Sequence, residues 1–220
     1  MKGDKLVINE GHIRAAHRAL ELLLPGITSS QGRFVITIAG ESGSGKSEIA
    51  AALSEALSQK DIKSIILQQD DYFVYPPKTN ENMRRKDIGH VGMSEVRLDL
   101  IDQNLKVAIT GQRTISKPLV IFDEDRITEE TANLEGIKVV VVEGTYTTTL
   151  KHAHQHIFID RNYIDTMEAR RQRARETQDD FLKKVLEIEH GIIQPQKKRA
   201  SIIITRDYEA KWNESEDKQS

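Results

Sequence analysis

The stretch Gly40-Glu41-Ser42-Gly43-Ser44-Gly45-Lys46-Ser47 constrains this chain more than any other. It satisfies the pattern G-x-x-x-x-G-K-[ST], and both flanks suit it. The apolar run Phe34-Val35-Ile36-Thr37-Ile38-Ala39 leads in and reads as a buried strand. Beyond the loop, Ile49, Leu53, Ala56 and Leu57 share one face of a helix. Glycines let the backbone turn until several N–H groups converge on phosphate oxygens. The helix adds the positive end of its dipole. A loop of this kind cradles the phosphates of a nucleoside triphosphate, with Lys46 on the outer phosphates and the Ser47 hydroxyl on magnesium.

Apolar runs and helical spacings alternate along the rest of the chain. Strands are expected at about Arg33–Ala39, Ser64–Gln69, Val139–Val142, His156–Ile159 and Ile202–Ile204. Helices are expected at Gly11–Leu24, ended by Pro25-Gly26, then at Ser94–Val107 and over a long charged stretch, Tyr163–Glu189. The first helix precedes the core strand, so it is expected to pack on the outside or cover a partner. Tyr75–Gly92 is polar and reads as a loop; Thr114–Phe122, interrupted by Pro118, reads as an edge ribbon. Apolar strands alternating with helices predict an α/β, three-layer P-loop NTPase fold, with a parallel core sheet and helices on both faces.

The 220 residues carry 32 basic and 34 acidic side chains, a balance that argues against a general nucleic-acid binder. With no cysteine, disulfides and thiolate-bound metal centres are excluded. No stretch approaches the roughly 20 apolar residues of a membrane span. Met1–Lys5 lacks the apolar segment of a secretory signal, so a soluble cytoplasmic protein is expected. Self-association into a homo-oligomer stays open.

Phosphoryl transfer needs a phosphate cradle, magnesium ligands, a group that orients the acceptor and cations for the transition state. Asp70 and Asp71 end the second strand, where an open α/β sheet places its site. One of them, Asp70 by preference, is expected to accept the acceptor's proton and to help hold magnesium. Glu143 follows Val139–Val142 directly and is expected to face the metal. Arg171 and Arg175 share a helical face and are expected to close over the phosphates as lid arginines. Tyr72, Arg84, Arg85 and His90 follow the second strand and are assigned to the acceptor; the two arginines suit an anionic one. His152, His154 and His156 alternate, but three histidines at a strand entrance are weak evidence for a metal and read as surface residues.

The order of these motifs resembles the uridine kinase and phosphoribulokinase family of P-loop kinases. Gly40–Ser47 looks like its GxSGSGKS, with Glu41 at the variable position. Gln69-Asp70-Asp71-Tyr72-Phe73 looks like its D-x-[FY]-[YF] segment, which implies Asp70 as base. Glu143-Gly144 is similar to its EG motif, Arg171–Glu176 to its RRxxRD lid, and Pro195–Ile204 to its P-x-K-x-x-A-D-I-I-I segment, with Ser201 in place of Asp. The resemblance runs from about Phe34 to Thr205. The departures concern the acceptor: the family's P-x-Y-D-F is replaced by Pro118–Phe122 without a Tyr-Asp pair, and HPDAFD by His90–Asp99.

These readings divide the chain into an N-terminal helical extension (1–30), a kinase domain (31–212) and a disordered tail (213–220). Within the domain, about 75–135 is an acceptor-binding insertion and about 163–190 a lid region. The expected activity is ATP- and Mg²⁺-dependent phosphorylation of a hydroxyl on a small metabolite, with a sugar or sugar phosphate in view. Uridine or cytidine kinase activity is the alternative, and a nucleotide-driven switch the alternative from another class.

Overall fold

The computed structural model describes residues 6–173 and 179–214. Five parallel strands form its centre: β1 (Phe34–Gly40), β2 (Ser64–Gln68), β5 (Val139–Glu143), β6 (Gln155–Ile159) and β7 (Ile202–Ile204). β8 (Ala210–Trp212) joins antiparallel to β7, giving the order β2-β5-β1-β6-β7-β8. β1 and β5 are buried at every position, which is why they read as continuous apolar runs. Their side chains still alternate between faces. Ile36, Ile38, Val139 and Val141 enter one core; Val35, Ala39, Val140 and Val142 enter the other. α1 (Glu10–Ser29) and α2 (Lys46–Ser58) cover the first face. α4 (Leu98–Ile109) and an antiparallel ribbon, β3 (Thr114–Ile121) with β4 (Arg126–Asn133), cover the second. The result is the three-layer α/β arrangement that the alternation predicts.

Four elements differ from expectation. α1 runs through Pro25 to Ser29 rather than stopping there. Pro25 is exposed, while Leu20, Leu23 and Ile27 are buried on either side of it, and that burial outweighs the hydrogen bond proline deletes. Nor does α1 lie outside the body: Ala15, Ala16 and Ala19 are fully buried, and the helix packs on α2 and β8.

The polar stretch 75–92 contains a helix, α3 (Pro77–Lys86). Pro77 pre-sets the first turn. Asp125, in the β3–β4 turn, supplies the missing acceptors, taking the Lys78 N–H at 2.7 Å and the Thr79 N–H at 3.1 Å. The long charged stretch is two helices, α5 (Met167–Arg173) and α6 (Asp180–Ile193). Asp179 caps α6 by accepting from the Leu182 N–H at 2.8 Å. Asn213, assigned to the tail by composition, donates to the Ala200 carbonyl at 2.8 Å, and so is tied to the body. Residues 215–220 lie outside the described residues.

Candidate active site

Strand register brings the site together. Glu143, the last residue of β5, stands beside Ile38 of β1 and Gln68 of β2. The loop from Gly40 to Ser47 leaves β1 two residues beyond Ile38, and Asp70 lies two residues past the end of β2. A cavity of about 430 Å³ opens at these strand ends, lined there by Ser42, Gly43, Lys46, Ser47, Asp70 and Glu143.

The loop has the backbone that phosphate binding requires. Gly43 (φ 76°) and Gly45 (φ 98°) are left-handed, which side chains resist. Each is also crowded: an added Cβ would come within 2.9 Å of Arg170 at Gly43, and within 2.9 Å of His12 at Gly45. Lys46 Nζ donates to the Glu41 carbonyl at 3.0 Å, and the Ser44 N–H donates to the same oxygen at 3.1 Å.

The residues expected to hold magnesium also lie together. The Ser47 hydroxyl donates to Glu143 Oε1 at 3.0 Å. Burial and the neighbouring Asp70 carboxylate push the Glu143 carboxyl up to about 7, although Lys46 and Ser47 oppose the shift. Two carboxylates beside a serine hydroxyl at a phosphate loop make an oxygen-rich set that suits a hard divalent cation, whose charge would reverse that shift.

Asp70 and Asp71 have separate surroundings. Asp70 is half-buried and lines the cavity. Asp71 is buried and turned to the ribbon, where it takes the Lys117 ammonium at 2.8 Å and the Val120 N–H at 3.1 Å. Consecutive residues in a tight turn point in different directions, so one faces the reaction space while the other anchors β3.

Tyr72 does not reach the acceptor space. It is fully buried in the second core, its hydroxyl accepting from Asn104 Nδ2 at 2.9 Å, and burial pushes its pKa up to about 12. His90 stands behind the wall, its Nε2 paired with Asn80 Oδ1 at 3.1 Å, and is not part of the lining. Arg84 does line the cavity, but its guanidinium is engaged. Nε pairs with Glu95, and Nη2 reaches Glu95 and Glu189, each at 3.0 Å. Arg85 lies at the rim, bonded to Glu81 at 2.8 Å and Asp179 at 3.0 Å, with its guanidinium over the Phe181 ring.

Arg170, and not Arg171, lies against the phosphate loop. Arg171 is exposed and absent from the lining; Arg170 is buried, lines the cavity and crosses the phosphate loop. Arg170 donates to the Tyr163 carbonyl at 2.7 Å and to the Ser42 carbonyl at 3.4 Å. Neighbours on a helix diverge by about 100°, so only one of the two can face the loop. Arg175 lies outside the described residues. The three histidines do not gather: His154 Nδ1 accepts from the Val35 N–H at 3.0 Å, and His156 Nδ1 pairs with Thr37 Oγ1 at 2.6 Å. Among the described residues no group of three or more His, Asp or Glu could hold a metal.

The far wall was not anticipated. Phe122 from the ribbon, Tyr146 after β5, and Phe181, Val185, Leu186 and Glu189 from α6 complete it. Gln69 braces this region, donating to Thr145 Oγ1 at 2.9 Å and accepting from the Tyr146 N–H at 2.8 Å. One signal was available. Glu189 is the lone acid on a stripe of buried Leu182, Val185, Leu186 and Ile193, and an acid in such a place needs a partner. Glu41 is a second surprise. Its side chain turns away from the cradle to accept from the Tyr163 N–H at 2.6 Å, His190 Nδ1 at 2.7 Å and Gln194 Nε2 at 3.0 Å.

A phosphate loop at the switch of a parallel sheet, with Glu143 ending the adjacent strand and Asp70 just past the strand beyond it, is the arrangement of a P-loop kinase. The sequence profile of the Phosphoribulokinase / Uridine kinase family matches residues 35–211, and this chain belongs to that family. It is 28% identical over 193 residues to the bifunctional alpha-galactosidase/sucrose kinase AgaSK of Mediterraneibacter gnavus, covering 81% of this chain but spanning only 21% of that protein. It is 26% identical over 183 residues to the uridine kinase of Leuconostoc citreum, covering 77% of this chain and 86% of that enzyme. The D-glycerate 3-kinase of Cryptococcus neoformans var. grubii shares the fold, with a TM-score of 0.63, 13% identity, and coverage of 93% of this chain and 100% of that one. Among the described residues no helix is long and apolar enough to cross a membrane.

Proposed function

We propose that this chain is an ATP- and Mg²⁺-dependent kinase that phosphorylates a hydroxyl of a small, uncharged, polyhydroxylated metabolite of the sugar class. The observation that carries this reading is the single cavity that joins Lys46, Ser47 and Asp70 to a wall of aromatic rings and already-paired charges. Arg84 is neutralised by Glu95 and Glu189, and Arg85 by Glu81 and Asp179. An anionic acceptor would have to compete with those carboxylates. Sugar hydroxyls instead donate to carboxylates, and sugar C–H faces pack on rings such as Phe122 and Phe181.

In this reading Asp70 takes the proton of the attacking hydroxyl, and the oxygen bonds to the γ-phosphorus as ADP departs. Lys46 and Arg170 offset charge on the transferring group. Ser47 and Glu143 would hold magnesium, which when bound neutralises the outer phosphates. The relative named as a sucrose kinase supports a sugar acceptor. The relatives named as uridine kinases support a second reading, a nucleoside acceptor. Assays of phosphoryl transfer with neutral sugars, sugar phosphates, uridine and cytidine separate the two. Turnover with a neutral sugar and none with uridine is expected; efficient uridine phosphorylation would establish the second reading.

A further inference from the structure

Glu41 stands at a position of the phosphate loop where the motif demands no particular residue, yet it is only 2% exposed. Burial of a carboxylate is costly unless hydrogen bonds replace its water. Here three donors do so, and they come from distant places. The Tyr163 N–H opens the segment that leads to α5, His190 lies in the last turn of α6, and Gln194 follows directly after that helix. The Tyr163 ring also meets the His190 ring edge-on at 5.6 Å, closing a small bundle of contacts around the carboxylate.

α6 is one rigid element, and its other turns form the acceptor wall through Leu182, Val185, Leu186 and Glu189. The same residue therefore belongs by its backbone to the phosphate cradle and by its side chain to the helix facing the acceptor. Its carbonyl is also an acceptor for Lys46 Nζ.

We propose that Glu41 is a positioning residue that couples occupation of the phosphate loop to the placement of α6. Phosphates in the loop hold the Glu41 backbone; its carboxylate then holds His190 and Gln194, and α6 is set against the acceptor space. The inference rests on the nucleotide reading of the loop and goes beyond it, because it assigns a connection and not a ligand. Coupling of this kind is reciprocal: acceptor bound against α6 tightens nucleotide in the loop by the same factor.

The test uses the whole chain with Mg²⁺ and the non-hydrolysable β,γ-imido analogue of ATP, so no acceptor need be known. Calorimetry records analogue binding, and hydrogen exchange records protection of the Asp180–Ile193 amides. Saturating analogue should slow exchange across α6 by about fivefold or more in the unaltered chain. The double variant His190→Ala/Gln194→Ala lies outside the loop; it should still bind the analogue yet lose that protection to within about twofold. Glu41→Ala should lose it too, and Glu41→Gln, which keeps one accepting oxygen, should retain part of it. Analogue binding without α6 protection in the unaltered chain overturns the coupling alone. Absence of analogue binding overturns the nucleotide reading with it. Undiminished protection in the double variant also overturns the coupling, and that result decides the matter if Glu41→Ala fails to fold.

Discussion

At the phosphate end of the cavity, every group except Arg170 stands within the loop motif or at or just past the end of a strand. Gly40–Ser47 leaves β1, Asp70 follows β2 and Glu143 closes β5, in a register set by backbone ladders. At the acceptor end the groups are held by one another. Arg84 and Glu189 are 105 residues apart and meet at 3.0 Å, Glu95 joins them from a third segment, and Asp125 caps α3 from the ribbon. The first end depends on backbone geometry and tolerates little variation. The second depends on side-chain pairs, so its composition can change as long as the charges balance. This is where the chain departs from the motifs of the family it belongs to. A kinase site divides in this way because every reaction in the class shares the phosphates, while each has its own acceptor.

The largest expected effect tests the phosphate end. Lys46→Ala should lower transfer by about 10³-fold, because a cation aimed at developing charge in a partly closed site is lost. Retention of substantial activity would mean that backbone alone carries that end. Asp70→Asn should lower turnover by about 10²-fold or more while nucleotide still binds, as expected for a lost general base. Its neighbour supplies the contrast. Asp71→Asn should leave turnover per folded molecule nearly unchanged but lower stability by about 2 kcal/mol, because the buried Lys117 ammonium loses one of its two carboxylate partners and keeps Glu130. Thermal melts and turnover measured on both proteins separate the roles, and exchanged phenotypes would make Asp71 the base.

At the acceptor end, Arg84→Ala should raise the acceptor KM by about tenfold with a smaller change in kcat, together with a lower Tm, because Glu95 and Glu189 are left facing each other. An equal loss of kcat and kcat/KM would instead place Arg84 in the transition state and blur the division between the two ends. The smallest effect lies at the other end of the strands, where β6 begins. Burial holds the His154 and His156 imidazoles below the usual histidine pKa. Below pH about 6.5 the unfolded chain takes up protons that the folded one refuses, so stability is full above that pH and falls as acid is added. His156→Gln should flatten part of that decline in melts between about pH 5 and 7.5.

Phe34–Ser47 identified itself because loop, strand and helix are contiguous and each follows from local rules. Val139–Glu143 did so because a strand buried on both faces has only apolar residues to offer before its terminal acid. The acidic pair after β2 was located and Asp70 preferred, but what turns Asp71 away from the cavity, Lys117 approaching it from the ribbon, exists only in the fold. Likewise an arginine was expected at the loop from Arg171, and the helix turn brings Arg170 there instead. α3 left no apolar periodicity to read, because its inner side is polar: Asn80 and Arg84 meet Glu95, a contact that exists only once the segments have met. The path of α1 through Pro25 likewise required the buried Leu20, Leu23 and Ile27 on either side of the proline. Sequence by itself determined the phosphate-binding half, since that half is written in backbone conformation and in burial period, which act between near neighbours. Tertiary structure decided the acceptor half and the link through Glu41, since a charge has no assigned partner until the fold brings one within about 3 Å.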